Sequence, residues 1–379
     1  MYILTVGRSF PEKKTGMIGI FEFEQAVALA KAGNKVVYAF SDDRSVKVIH
    51  SLSKIRRTEQ GVEVYGRQLP IGGLPHQVFD PIRTAEVKKL IREIIDEQGM
   101  PDVIHVHFPV LTLNEALLEF IGTLGCKLVC TEHWTKIQSK QISAWRVERL
   151  KSCTEHANAF LCVSGLLRDS VIELTHTEKP VEVVPNMVQA PFGFAPAPEK
   201  DDPDSFTFAA VGRLVPVKRF PLVVEAFAEA FRGQENIRLK IAGDGTQRKE
   251  IEALIDKCGV QAQTDMLGFC KRPEVAKLYA ESDCYVSASI LETFGVPFIE
   301  AWITGIPCIG ARGGPVDCYF KPENGLLFEK EQVKSLAAAM QQVYQNRAQY
   351  DRKQISDEAA ALFSAEEVVR RLCSIYEAC

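Results

Sequence analysis

Short β-rich apolar runs alternate with longer stretches of helical periodicity over nearly the whole 379-residue chain, and that alternation constrains the fold more than any single motif. Strands are predicted in the first half at 2–6, 35–40, 62–65, 103–106, 127–131, 160–163 and 181–184. In the second half they are predicted at 206–211, 238–242, 266–269, 284–287 and 307–309. Many of these runs are continuously apolar rather than alternating, the signature of parallel strands buried on both faces. Helices are predicted between them at 21–32, 84–98, 222–231, 248–257 and 332–345. Strand–helix–strand repetition of this kind implies right-handed crossovers and a doubly wound α/β sheet.

The rhythm breaks once. Residues 185–205, PNMVQAPFGFAPAPEKDDPDS, are rich in Pro and Asp and carry no period, the mark of a linker. The expected organisation is therefore a first domain at 1–186, a linker at 187–204, a second domain at 205–360, and a C-terminal helix at 361–379 that packs back toward the first domain. Two such domains would face each other across a cleft lined by strand C-termini, where α/β folds bind ligands.

Composition removes several functional classes. Lys plus Arg total 45 against 49 Asp plus Glu, a net charge of -4, which argues against a generic nucleic-acid binder. No run approaches the ~18 apolar residues of a membrane-spanning helix. The chain opens on MYILTVG without a basic leader, so no cleaved signal peptide is expected and the cytoplasm is the expected setting. The 11 cysteines are odd in number, and no C-x-x-C pair or zinc spacing occurs. Cys130, Cys162, Cys284 and Cys308 fall in apolar runs and read as small reduced hydrophobes.

The most informative segment runs from Ser287 to Ala301. A loop holding Glu292 and Gly295 leads into a helix with Pro297 in its first turn and Glu300 about one turn in. Free N–H groups at that helix end suit a phosphate or a sugar oxygen, and a carboxylate beside them can accept hydrogen bonds from ribose hydroxyls. Taken alone, the same residues equally fit a cap and a dipole-favoured charge. A second element, Gly212-Arg213-Leu-Val-Pro-Val-Lys218-Arg219, empties a strand into a cationic turn able to neutralise a diphosphate. A solvated basic loop is its plain alternative. Ala242-Gly243-Asp244-Gly245 and Gly310 to Pro315 add glycine turns after two further strands. The former lacks the third glycine of a dinucleotide fingerprint.

In order, these pieces are GR-x4-K (Gly212, Arg213, Lys218), GDG (243–245), LGF (267–269), E-x7-E with an internal Phe294-Gly295 (Glu292, Glu300), and GIP…GG (305–307, 313–314). The second half thereby resembles the donor domain of a GT-B glycosyltransferase of the retaining family 4 type, and the alternation extends the likeness over most of the chain. The resemblance implies two Rossmann-like doubly wound domains. It also implies that Arg213 and Lys218 bind the diphosphate of a nucleotide sugar, that Glu300 holds the ribose, and that Glu292 meets the sugar hydroxyls. Gly243 and the 293–296 turn (Thr293, Phe294, Gly295, Val296) would line the donor, largely through backbone, with Phe269, Cys270 and Lys271 near the base.

The first half matches more loosely. Gly16-Met-Ile-Gly19-Ile-Phe21 occupies the place of the family's glycine loop without its adjacent Gly-Gly pair, and Gly19 is the better match. His133 matches the histidine set against the donor sugar, followed here by Trp134 where many relatives have glycine. His105 and His107, also at strand ends, read as hydrogen-bonded structural residues. Asp202-Pro203-Asp204 mimics a metal motif of another glycosyltransferase fold, but it lies in the Pro-rich segment and reads as a solvated turn. The stretch 136–151 reads as a solvated amphipathic helix, with contact to a membrane's inner face or a lipid-linked acceptor as the alternative.

The implied function is a retaining, metal-independent hexosyltransferase with His133, Glu292, Arg213 and Lys218 as catalytic residues. It would need no cofactor beyond the nucleotide sugar, and would build cell-surface polysaccharide or glycolipid. Retention is attributed in the family to same-face attack, with the leaving phosphate taking the acceptor proton. A UDP-sugar 2-epimerase of the same fold and a non-catalytic nucleotide-sugar-binding subunit are the competing readings. The sequence specifies neither base, sugar nor acceptor.

Overall fold

Eight strands form the sheet of the first unit, which comprises Met1–Asn186 and Ala365–Cys379; the computed structural model describes residues 1–11 and 18–379. They are β1 (Tyr2–Gly7), β2 (Lys35–Asp42), β3 (Ser53–Glu59), β4 (Val62–Gln68), β5 (Val103–His107), β6 (Lys127–Glu132), β7 (Ala159–Cys162) and β8 (Val181–Val183). Their order across the sheet is β3-β4-β2-β1-β5-β6-β7-β8. All neighbours are parallel except β3 and β4. The covering helices are α1 (Ile20–Lys31), α2 (His76–Gln98), α3 (Pro109–Thr112), α4 (Glu115–Gly122), α5 (Thr135–Gln138), α6 (Ala144–His156) and α7 (Gly165–Thr175). Every residue of β1 and β5 is buried, as continuous apolar runs covered on both faces require. Side chains cap two of the helices. The Asn114 amide oxygen accepts the Leu117 N–H at 3.0 Å, and the Ser164 hydroxyl accepts that of Leu167 at 3.3 Å, each worth about 1 kcal/mol.

The second unit, Met187–Ser364, holds a wholly parallel sheet of β9 (Phe206–Val211), β10 (Ile237–Ala242), β11 (Thr264–Gly268), β12 (Cys284–Ser287), β13 (Cys308–Ala311) and β14 (Gly325–Phe328), ordered β11-β10-β9-β12-β13-β14. Its helices are α8 (Phe220–Phe231), α9 (Arg248–Cys258), α10 (Arg272–Ala280), α11 (Val296–Thr304), α12 (Val333–Gln345) and α13 (Arg352–Phe363). Phe208 packs between Phe227 and Phe231 at the centre of a core that also takes Val224, Leu239, Ile241 and Leu336. The last helix, α14 (Ala365–Ala378), belongs to the first unit and packs on α1.

Each unit is thus a Rossmann-like doubly wound sheet, and each has one point where the winding reverses. In the first unit the chain moves outward in opposite directions from β1 and from β5. In the second it does so from β9 and from β12. Ligands of such sheets bind beyond the strand C-termini at this reversal.

Two strands escape the sequence pattern. β3 (SKIRRTE) has no apolar run, because it is an exposed antiparallel edge whose Lys54 and Arg56 pair with Glu93 and Glu97 of α2. β14 is only four residues long. Helix α2 begins at His76 rather than 84 and carries Pro81 in its second turn, where the missing N–H removes one i→i−4 hydrogen bond from the helix. The Pro-rich segment runs along the second unit. The Ala195 N–H reaches the Thr304 carbonyl at 3.1 Å, Arg352 Nε donates to the Ala195 carbonyl at 3.1 Å, and Lys200 pairs with Asp283. Within it, the Asp202 carboxylate accepts the Asp204 N–H at 2.9 Å, and Asp204 pairs with Arg347.

Candidate active site

In the second unit three strand-end loops are stitched together by backbone alone. The Gly212 N–H donates to the Ala242 carbonyl at 3.0 Å, the Leu214 N–H to Asp244 at 3.0 Å, and the Gly243 N–H to Gly268 at 2.7 Å. Gly243, at φ 148°, lies so close to its neighbour that a Cβ there would sit 1.8 Å from the Gly212 carbonyl oxygen. Close packing of this kind admits only glycine. It holds the exposed Arg213 and the short 3-10 turn 216–218 beyond the end of β9.

The loop after β12 is fastened to that same turn. The Val217 carbonyl accepts the Ile290 N–H at 3.0 Å, and Lys330 Nζ donates to the Ile290 carbonyl at 3.2 Å. Across this junction Lys218 Nζ forms an ion pair with Glu292 Oε1. The pair straddles the winding reversal, with one partner from each side. Arg219, the third cation of the motif, points elsewhere and pairs with Glu331.

Gly295 caps α11 at φ 99°, with Pro297 in the first turn. The first N–H groups of the helix lack intrahelical partners and carry its positive end. The Phe294 side chain is buried against Phe363, so it is the backbone of the 293–296 turn that leads into this end. Glu300 is buried in α11 with the Arg272 guanidinium 3.8 Å from its carboxylate. Phe269 is 74% exposed, an unusual position for so large a ring and one suited to stacking. Cys270 is half-buried, and burial, helped by Glu274, raises its thiol pKa, keeping it protonated. Lys271 is exposed, and its backbone N–H donates to Glu274 at 2.5 Å.

The Gly313-Gly314 turn is occupied by the protein itself. The two oxygens of Asp317 accept the Gly313 N–H at 2.6 Å and the Gly314 N–H at 2.9 Å. Neither Asp317 nor Arg272 stood out in the sequence. The helix-start position of Arg272, directly after LGF-Cys-Lys, is the signal that could have found it.

At the reversal of the first unit, Arg8 follows β1 and lies 3.4 Å over the Phe108 ring, which follows β5, while its Nε is 3.4 Å from Glu22. Gly7-Arg8, at the end of β1, repeats the Gly212-Arg213 pair at the end of β9. Gly19 caps α1 at φ 91°, where a Cβ would meet the Ser9 carbonyl oxygen at 2.0 Å. Gly16 and Met17 lie outside the described residues. His133 stacks on Phe108 at 4.8 Å, and its Nε2 is 3.0 Å from His107 Nδ1. Glu132 holds the turn beneath it, one carboxylate oxygen accepting the His133 and Trp134 N–H groups at 2.8 and 2.9 Å.

Burial lowers the His133 pKa to about 3, assisted by the positive charge of Arg8, so its ring is neutral at physiological pH. Burial likewise raises Glu132 to about 7, against the opposing pull of its backbone hydrogen bonds. His105 is satisfied on both nitrogens, by the Tyr376 hydroxyl at 2.6 Å and Thr131 at 2.7 Å. His107, by contrast, joins His133 and leaves its own Nε2 buried without a partner among the described residues.

Known proteins can be set beside this geometry. A family model described as Glycosyltransferase Family 4 matches residues 22–190, and one described as Glycosyl transferases group 1 matches 194–361. Among curated proteins, the phosphatidylinositol N-acetylglucosaminyltransferase gpi3 subunit of Schizosaccharomyces pombe is 24% identical over 291 residues, covering 76% of this chain and 63% of that one. This chain therefore spans less than two-thirds of that relative's length. Alpha-monoglucosyldiacylglycerol synthase of Acholeplasma laidlawii is 32% identical over 130 residues, 34% of this chain and 33% of that one. Among solved structures, sucrose-phosphate synthase from Thermosynechococcus elongatus superposes with a TM-score of 0.76 at 17% identity, covering 100% of this chain and 98% of that one. Anabaena HepE, solved with UDP and glucose, gives 0.72 at 17% identity with both chains fully covered. At such identities the structural likeness speaks for the fold. With two family models that together match most of the chain and the winding, strand ends and glycine contacts described above, the protein belongs to the GT-B glycosyltransferases of the family 4 type.

Proposed function

We propose that the chain transfers a hexosyl residue from a nucleotide-diphosphate sugar to an acceptor hydroxyl, with retention of anomeric configuration and without a metal. The observation that carries this reading is the Lys218–Glu292 pair at the winding reversal of the second unit, beside a loop that leads into the N-terminus of α11. Departure of the diphosphate builds negative charge. Lys218, Arg213 and the helix end are preorganised cationic groups for it, usually the largest catalytic contribution. Glu292, released from Lys218 as the diphosphate takes that cation, is then available to the sugar hydroxyls. Glu300 binds the ribose, Phe269 stacks the base, and the 293–296 backbone with Gly243 and Gly19 lets the donor approach closely. His133 serves the sugar as a neutral hydrogen-bonding ring. The leaving phosphate takes the acceptor proton during same-face attack.

The names of two curated relatives carry a lipid, phosphatidylinositol in one and monoglucosyldiacylglycerol in the other. They favour a lipid acceptor over a soluble polysaccharide, and peripheral work at a membrane face. The UDP held by the HepE neighbour makes uridine diphosphate the first nucleotide to try. Incubation with a panel of nucleotide sugars, with and without a lipid-linked acceptor, tests the reading. Acceptor-dependent nucleotide release is expected. Formation of a new nucleotide sugar would mean an epimerase, and no turnover with retained binding would mean a non-catalytic subunit.

A further inference from the structure

Beyond the donor residues, the first unit carries two adjoining cavities of about 360 and 420 Å³ that share His76, Asp80, Trp145 and Arg149 in their walls. The ring of His76 stacks on Trp145 at 4.8 Å, and Arg149 pairs with Asp80 while lying 4.7 Å over the same indole. Arg146 is different. Its guanidinium is 4.4 Å from the Trp145 ring and 5.3 Å from the Trp134 ring, and its Nε is buried without a hydrogen-bond partner among the described residues. With Asp80 already matched by Arg149, the smaller cavity carries one uncompensated guanidinium. A planar fork stacked on indoles is fixed in direction and suits a bidentate oxyanion such as phosphate.

The remaining wall of that cavity is apolar, formed by Leu74, Phe79, Val110 and Leu111. Val110 and Leu111 belong to α3, which follows His107-Phe108, and Trp134 is the residue after His133, so the cavity abuts the strand ends of the first unit. From Leu74 an aliphatic apron continues outward. Leu74, Val78 and Ile82 are 44%, 49% and 39% exposed, the latter two one helical turn apart on α2. Val46, Val48 and Leu52 are also exposed, on a loop tied to the Leu74 turn by the Gly72 N–H donating to the Arg44 carbonyl at 3.1 Å. The larger cavity adds the carboxylates of Glu115 and Glu148, acceptors for hydroxyl groups, while Asn114 in its wall is engaged with Thr84 and the Leu117 N–H. Together these offer polar partners for hydroxyls in the larger cavity, and an oxyanion fork beside an apolar exit in the smaller.

We infer that this compartment binds the acceptor as a phosphate-bearing amphiphile: Arg146 takes the phosphate, the larger cavity takes a hydroxylated head, and the chain leaves over Leu74 and the apron. Naming the ligand the acceptor rests on the transfer reading above; the binding claim does not.

The test is calorimetric titration of the full chain with monomeric short-chain phosphatidylinositol, short-chain diacylglycerol, geranyl phosphate and inorganic phosphate. Binding of either anionic amphiphile is expected, whichever of the two is tighter identifying the source of the phosphate. Diacylglycerol, which lacks the phosphate, and inorganic phosphate, which lacks the chain, should bind at least about tenfold more weakly. Arg146→Gln should lose about tenfold or more in affinity for the anionic amphiphile, Arg146→Lys should lose less, and Leu74→Asp should weaken amphiphile but not inorganic phosphate. All three should keep the circular-dichroism spectrum and the Tm of the parent, which shows that the first unit is folded. Unchanged amphiphile binding by Arg146→Gln, or equal binding of diacylglycerol, would overturn the inference. Inorganic phosphate binding as tightly as the amphiphile would do the same. If the amphiphile binds as expected but no sugar is transferred to it, the transfer reading fails and the site stands.

Discussion

Replacing Glu132 by Gln should change how the stability of the first unit depends on pH. In the folded protein burial raises this carboxyl from 4.5 to about 7. Between those values the folded state therefore holds a proton that the unfolded state has released, so stability is lost as pH rises through the window. At 1.36 kcal/mol per pH unit, the gap corresponds to about 3 kcal/mol lost by pH 8 relative to pH 4. Glutamine keeps an oxygen to accept the His133 and Trp134 N–H groups but cannot ionise. The buried histidines act in the opposite sense: His105 and His133 are lowered to about 3 and His107 well below its usual value, so their contribution falls as pH drops below ~6.5. They are common to both proteins and cancel in the difference. Thermal unfolding of parent and Glu132→Gln at pH intervals from 4 to 8 isolates the carboxyl. The two should have similar Tm near pH 4, and the variant should be more stable by roughly 6–12 °C at pH 8, at 2–4 °C per kcal/mol. A pH-independent difference, or a variant that loses ground as pH rises, would show that the ionised carboxylate is favoured and refute the reasoning.

Other outcomes follow from the same geometry. Gly243→Ala should cost about 3 kcal/mol or more, seen as a lower midpoint in denaturant, because its Cβ meets the Gly212 carbonyl at 1.8 Å in a left-handed backbone. Phe269→Ala should leave Tm within about 1 °C, since the ring is 74% exposed, yet raise KM for the donor about tenfold. His133→Asn should lower kcat without moving the acid limb of the pH–rate profile, because a ring with pKa about 3 is already neutral across the working range.

How far the sequence carries the reader depends on what each residue has to do. The buried parallel strands were legible because burial on both faces writes a continuous apolar run, as in Phe206–Val211. Strand β3 was not, since an edge strand held by Lys54–Glu93 and Arg56–Glu97 pairs reads as a polar loop. The glycines of the second unit were legible as turns, but that Gly243 has to be glycine follows from the Gly212 carbonyl packed against it, a contact 31 residues away in sequence. The pairing of Lys218 with Glu292, 74 residues apart, could not be read from spacing, because it depends on the Ile290–Val217 backbone bond. Arg8, Arg272 and Asp317 act through tertiary neighbours and carry no local period. Within the 136–151 stretch, Arg146 was one cation among five, and nothing in the pattern set it apart from its neighbours.

The central claim is that the second unit grips a nucleoside diphosphate by its phosphates at Lys218 and by its ribose at Glu300. The direct measurement is calorimetric affinity for the nucleoside diphosphate that most raises Tm, alongside its monophosphate and its 2′,3′-dideoxy form, in the parent, Lys218→Ala and Glu300→Ala. Lys218→Ala should lose about tenfold or more toward the diphosphate and little toward the monophosphate, while the loss in Glu300→Ala should vanish with the dideoxy ligand. Diphosphate affinity untouched by Lys218→Ala, or an equal Glu300→Ala loss with and without the ribose hydroxyls, would contradict the account.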